Sequence, residues 1–432
     1  MKRIILAFVM LVGAECGLWA GQTSAPAVLT LAEAQNIALR NHPQIAAADY
    51  RALAAREVLT ETRAGYYPNA NLYGDAVGAN SEDARILAGG LNNPSVYNHL
   101  AGGLSVSQLI TDFGRTDNLT SSSKFQMEAE NQNVNATREQ VLLQVNLNYL
   151  GTLQARAVLQ VAQQTLDTRQ LLLDQVSLLA SNKLKSELDV SFAGVAVQQG
   201  KLLVEKAQND ADAAMASLSA ALGYAGPQQF QLSDPNPSTN SMPGDDSQLV
   251  QIALAQRPEL LSFRDQGITA MKFARSQHDA RLPSVSAFGE AGGSPAHDYH
   301  LPDDYAVGGI QISFPLFAGG LYKARQHEAE FKAQAEEELV RSLEDDIVRD
   351  VHIAWLNVNN AREEIKTTEE LVRSASEAYD LAESRYKTGI SSIVELSQAQ
   401  LNLTSAQITN ANARYNLLIQ QANLDYQVGS LH

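Results

Sequence analysis

Cysteine is almost missing from this chain: of 432 residues only Cys16 carries a thiol. A disulfide within the chain and a thiolate metal site are therefore excluded. Positive charge is also scarce, with 32 Lys and Arg against 48 Asp and Glu and a formal net charge of −16. That balance argues against nucleic acid, whose phosphates require a basic surface. It suits either an ordinary solvated acidic protein or one whose interior passes cations. No G-x-S-x-G, H-E-x-x-H or phosphate-loop pattern occurs, so the chain is not expected to be an enzyme, and no cofactor is expected. The one marked apolar run, IILAFVMLVGA after MKR, is too short for a spanning helix, which needs about 20 residues. With its basic start and small residues near position 20, it reads as a secretory signal peptide over 1–20, cleaved after Ala20 or, as a weaker alternative, after Ala27. Cys16 lies inside it, and Glu15 before it is a poor match to the small residue that lipidation needs.

What the chain has is repetition. IALRNHPQI at 37–45 returns as IALAQRPEL at 252–260, 215 residues later. The same offset lays Pro68 on Pro283, Tyr73 on Phe288 and Gly74 on Gly289. Further on the offset is 206, pairing Gly114 with Gly320, Tyr149 with Trp355 and Asp189 with Glu395. The nine-residue difference falls between Val77 and His99, where the first copy has the longer loop. The chain is thus two copies of one unit, 28–224 and 247–429, joined by a linker at 225–246.

Each unit reads as helix, strand, strand, helix. A short helix over 31–40 begins with Thr30 as N-cap and Glu33 three residues on. Pro43 ends it, and a helix of about 22 residues follows over 44–65. The period then changes to two: Ile310, Ile312, Phe314 and Leu316 share one face of a strand at 305–316, and Val285, Ala287, Gly289 and Ala291 share one face of another. Loops are expected near 89–95 and 293–304. Strands of about ten residues match a tilted membrane strand. After Gly114 in one copy and Gly319–Gly320 in the other, 115–181 and 321–387 are 67 residues each without a proline. Such a helix is about 100 Å long. Ile347, Val351, Trp355, Val358, Ala361 and Ile365 recur at spacings of three and four, as in a coiled coil. Turns at 182–185 and 388–391 lead into returning helices at 186–222 and 392–428, and the short and returning helices stacked end to end match the long one. Gly389 permits the positive φ of its turn; its counterpart Lys183 lacks that freedom, so the two turns are expected to differ.

Four strands cannot close a membrane barrel, and open edges are forbidden in hydrocarbon, so the strands must close with other copies. Two copies give eight strands filled by their own side chains; three give twelve and a lumen. The expected architecture is mainly α with membrane β: a trimeric twelve-stranded barrel continued by a long helical barrel. A rival of another class, a periplasmic coiled-coil adaptor or scaffold, explains the long helices and the leader but not four symmetrically placed strands. The cluster His297, Asp298, His300, Asp303 and Asp304 lacks defined ligand spacing and reads as a solvated loop rather than a metal site.

Four phrases resemble the TolC family of outer-membrane efflux proteins: LTLAEAQNIALRNHP from Leu29, FPLFAGGLYKARQ from Phe314, RYKTGISSIVELSQAQLNL from Arg385 and ANARYNLLIQQANLDYQVGSL from Ala411. The resemblance covers nearly the whole chain after the leader. It implies a homotrimer in outer-membrane lipid with most of the chain in the periplasm. It also implies docking to a periplasmic adaptor (a membrane fusion protein) and an inner-membrane transporter, for export of toxic compounds or proteins; a metal-cation channel of the same family stays open. In that family the helical turns form a periplasmic aperture. Tyr386 matches a tyrosine that ties the inner helix pair to its neighbour, Asp189 its acidic partner, and Glu395 an acidic position ringing the aperture. Ser391 stands where the type member has a linking arginine and Gln398 where it has a second constricting aspartate. The alternative for Glu395 is an ordinary solvated helix residue.

Overall fold

The computed structural model describes residues 28–78, 97–234 and 245–431. The expected leader with Cys16, most of the longer loop of the first copy, and 235–244 of the linker lie outside the described residues. In chain order the elements are β1 (Val28–Leu29), α1 (Leu31–Asn41), α2 (Pro43–Ala64), β2 (Asn69–Val77), β3 (His99–Thr111), α3 (Arg115–Ser181), α4 (Glu187–Ala221) and β4 (Gln231–Leu232). The second copy supplies α5 (Ser247–Gln256), α6 (Pro258–Asp279), β5 (Ser284–His297), β6 (Asp304–Ser313), α7 (Leu321–Lys387) and α8 (Ile393–Val428). The two long helices have the bounds their proline-free runs predict, 67 residues each. Thr30 and Glu33 form the expected capping box at α1. Pro43 and Pro258 each occupy the first position of a new helix, where the missing N–H costs nothing.

The helices form a layer one helix thick. α2 and α4 both pack on α3, α3 also packs on α6 and α8, and these two pack on α7. The lateral order is therefore α2 with α4, then α3, then α6 with α8, then α7. Along α7 the buried positions Ile347, Ala354, Ala361, Thr368, Ala375 and Ala382 recur every seventh residue. Val351, Val358 and Tyr386 are buried on the companion heptad position, and Ile365, Val372 and Tyr379 are half-buried there. A repeat of 3.5 on a helix of 3.6 residues per turn imposes a left-handed supercoil. Ala354 occupies the seam and the bulky Trp355 flanks it, one residue away from its expected place. The mainly small residues at the first position let neighbouring helices approach closely. A broader core sits mid-molecule, where β1 and β4 pair in parallel over α1, α3 and α4. The buried Tyr149 hydroxyl lies 2.7 Å from the carbonyls of Leu29 and Ser233, fixing both strands to α3. The linker thus contains a short strand.

The remaining strands make one antiparallel sheet in the order β2-β3-β5-β6. Its register separates two faces, because opposed residues in antiparallel strands point the same way. One face carries Ala70, Leu72, Leu104, Val106, Ala291, Ala287, Ile310 and Ile312, with Gly74, Gly102, Gly289 and Gly308 between them. The other carries Asn69, Asn71, Tyr73, Asp75, Ser105, Ser107, Ser286, Glu290, Tyr305 and Gln311. The apolar face is open in this chain, with Leu72 and Ile312 at 85% and 70% exposure. Two bounds differ from expectation. β6 stops at Ser313 before Pro315, which cannot donate to a ladder, so Phe314 and Leu316 leave the strand. β5 continues through Gly293 to His297, because Ser294 donates its N–H to Asp303 and a register shift near Leu100–Gly102 absorbs the extra residue. The loop is therefore shorter than 293–304.

Candidate functional site

The ends of the two helical hairpins meet at one tip of the molecule. Val176 of α3, Ala382 and Tyr386 of α7, and Ile393, Leu396 and Ala399 of α8 form a buried cluster there, with Val190 of α4 packed against it. The tip thus joins both copies. Both connecting turns have the same backbone. Lys183 and Gly389 take positive φ of 61° and 78°, contrary to the expectation that they would differ. In each, the next N–H reaches back five residues: Leu184 to the Leu179 carbonyl and Ile390 to the Arg385 carbonyl, both at 2.9 Å. This closes the last turn of each long helix and satisfies otherwise orphaned carbonyls, which holds Lys183 in a conformation costing about 1–2 kcal/mol for a residue with a Cβ. The strand-to-helix junctions repeat the pattern. Phe113–Gly114 and Gly319–Gly320 all have positive φ, and again the first copy holds a side chain where the second has glycine.

The returning helices start differently. Ser186 accepts the Asp189 N–H and the Asp189 carboxylate accepts the Ser186 N–H and hydroxyl at 3.1 and 2.9 Å, a full capping box. Ser392 accepts the Glu395 N–H, but the Glu395 carboxylate turns away and pairs with Arg385 at 3.6 Å, both groups about half exposed. Glu395 is therefore partly neutralised within its own hairpin.

Tyr386 is 5% exposed, and its hydroxyl makes no hydrogen bond within the described residues. Burial, with Asp189 nearby as the smaller cause, raises the Tyr386 pKa, while Oδ2 of Asp189 is engaged at Ser186. Besides the apolar cluster, Lys185 joins the two hairpins, its Nζ standing 4.0 Å from the Tyr386 ring centroid. The face of a phenol ring is the negative end of its quadrupole and attracts an ammonium. Lys185 is the counterpart of Ser391 at the 206-residue offset. The cation missing from the second turn is thus present in the first. Lys185 and Arg385 were not picked out from the sequence; the repeat alignment of Lys185 with Ser391 held the signal for the former. The Ser391 hydroxyl is buried without a partner among the described residues, and Gln398 donates to Asn402 at 3.0 Å on an exposed face.

At the opposite end, His297 pairs with Asp303 at 2.8 Å and His300 with Asp298 at 2.6 Å, closing the β5–β6 turn on itself. Each carboxylate of this cluster that faces a histidine is thereby engaged. Midway along α3, Glu139 is buried against the α5–α6 joint. Burial pushes its carboxyl up to about 7, against the pull of the Arg257 guanidinium.

The family model described as outer membrane efflux protein matches residues 35–224 and 249–430. The chain is 26% identical over 425 residues to Outer membrane protein TolC of Salmonella enteritidis, covering 93% of this chain and 84% of that protein. Among solved structures, the outer membrane protein VceC of Vibrio cholerae superposes with a TM-score of 0.78 at 16% identity, over 92% of this chain and 96% of that one. The MtrE outer membrane channel of Neisseria gonorrhoeae, solved in its open state, gives 0.77 at 20% identity over 93% and 89%. Two matched copies, a four-stranded two-faced sheet and paired hairpin tips place the chain in one family: it belongs to the outer membrane efflux proteins.

Proposed function

We propose that three copies of this chain close head to tail into a duct. Its twelve-stranded barrel lies in the outer membrane, and its helical tube reaches through the periplasm to an adaptor and an inner-membrane transporter, which deliver toxic compounds or proteins. The observation that carries this reading is that the sheet and the helical layer are open at matching edges. β2 and β6 are the sheet's edge strands, continuous in sequence with α2 and α7, the edges of the helical layer. Unpaired strand edges cannot remain in hydrocarbon. With four alternating strands per copy, β6 of one copy meets β2 of the next antiparallel, so closure preserves the pattern. The helical edges also ask for a partner: Leu188, Val195 and Leu202 of α4, seven residues apart, are all exposed, a heptad stripe without a facing helix among the described residues. Three copies fit better than two because an eight-stranded barrel is filled by side chains and leaves no lumen.

The hairpin tips, farthest from the sheet, act as the gate, with Lys185 on Tyr386 holding the hairpins together, Asp189 beside them and Glu395 facing the axis. A coiled-coil scaffold is the poorer reading, since it gives no reason for a sheet with an apolar face open to solvent. Mass measurement in detergent and planar-bilayer recording test the proposal. The expected result is a trimer extracted only by detergent and conducting cations in preference to anions. A monomer released by salt overturns it.

A further inference from the structure

The outer part of the sheet's polar face carries groups that conduction alone does not require. Tyr73 on β2 and Tyr305 on β6 stand at the two ends of one cross-strand row whose middle members are Gly103 and Gly292. The glycines make room for the Tyr305 side chain: a Cβ at Gly292 would collide with the Tyr305 hydroxyl, and one at Gly103 would lie 2.8 Å from it. Over that gap the two hydroxyls meet at 2.5 Å. The pair of phenols therefore spans the sheet of one protomer and fixes both rings. Glu290 lies beside the Tyr73 hydroxyl, and Asp75 follows two residues along β2 on the same face. Leu301 and Pro302, from the β5–β6 turn, fold over them. Together these residues border a cavity of about 330 Å³, at the small end of the usual range for small-molecule sites.

Its chemistry favours one ligand class. Asp75 has a partner in His99 at 3.3 Å, whereas Glu290 has no cationic partner among the described residues. The cavity thus holds one carboxylate without a cationic partner among the described residues, and the two aromatic rings, Ala101, Leu301 and Pro302 line it beside His99 and Ser294. A metal ion would need several convergent ligands, and no group of three or more His, Cys, Asp or Glu side chains converges among the described residues. Aromatic faces with a nearby carboxylate hold alkylammonium groups well, because the quadrupole and the charge act on the same cation while the alkyl groups meet apolar surface. We infer that this cavity binds an organic ammonium ion with an apolar body, one per protomer, on the lumen side near the loop end of the barrel. The placement in a lumen rests on the duct reading; the cavity itself is built from one chain.

Calorimetric titration of tetraethylammonium into the detergent-solubilised full chain tests the site directly. Saturable binding is expected. E290Q, which keeps the side-chain shape, should weaken it about tenfold. Y305L, which removes a ring that lines the cavity, should weaken it to a similar degree. Absence of saturable binding, or equal affinity in E290Q, overturns the site. In planar bilayers the same probe added from the loop side should block current in the wild type and less in E290Q. Current without block overturns the site and leaves the duct standing. Binding without any current overturns the duct and leaves the site standing.

Discussion

The tie between Lys185 and Tyr386 makes a prediction whose sign separates two accounts of the gate. If Tyr386 locked the tip through its hydroxyl, removing that oxygen would loosen the closed state. The hydroxyl is buried and unpartnered among the described residues, while the ring receives the Lys185 ammonium at 4.0 Å. A buried polar group without a partner costs about 1–3 kcal/mol, so Tyr386→Phe should leave the closed state intact or strengthen it by about 1 kcal/mol. Lys185→Met, which keeps the stem and removes the charge, should do the reverse. Lys185 is half-buried, so its contact is worth about 1 kcal/mol, or about fivefold in a closed-to-open ratio. Opening of three copies together multiplies this to about a hundredfold. The assay is open probability in planar bilayers, paired with thermal unfolding to show that neither variant has merely lost its fold. Lys185→Arg should behave as wild type. Raised opening in Tyr386→Phe together with none in Lys185→Met would refute the reasoning and restore the hydroxyl as the lock.

Three further outcomes follow from the same geometry. Glu395→Ala should lower cation preference and weaken block by multivalent cations. The effect should grow when Arg385 is first neutralised, since Arg385 already pairs with that carboxylate; unchanged selectivity in both backgrounds would return Glu395 to a solvated helix residue. Lys183→Gly should raise stability by about 0.5–1 kcal/mol, the cost of a left-handed residue with a Cβ less the greater entropy of glycine in the unfolded chain, and thermal unfolding reads this. Glu139 has a folded-state pKa raised to about 7 from an ordinary 4.5. Its contribution is fully present below the lower value and is lost as pH rises toward 7, so unfolding temperature should fall across that window and Glu139→Gln should flatten the fall.

Much of this fold can be read from spacing. The two proline-free runs fix α3 and α7 to the residue, since nothing within them interrupts a helix and a glycine with positive φ precedes each. Pro43 and Pro258 mark helix starts for a covalent reason that context cannot override. The strands were less legible at their ends: Phe314 and Leu316 continue the alternation of β6 in sequence but lie past the point where Pro315 removes a donor. Gly293 to His297 look like loop by composition and are strand by pairing, because hydrogen bonds to β3 and to the turn decide the matter. The tip was partly legible. Tyr386, Asp189 and Glu395 are all there, but which atoms engage which depends on capping and rotamers that no spacing records.

The sequence by itself determined the periodic parts of this protein. Duplication, helix length, heptad stripe and alternating strands are local rules repeated, and each residue's own backbone preference enforces them. Tertiary structure alone decided what happens where elements meet. Lys183 adopts the backbone of Gly389 because the hydrogen bonds that close the helix outweigh its intrinsic cost. Lys185 reaches Tyr386 only because packing sets the two hairpins side by side. Tyr73 finds Tyr305, 232 positions away, because two glycines in the strands between leave room for the Tyr305 side chain. Contacts of that kind depend on the relative placement of whole elements, a quantity that no short stretch of sequence contains.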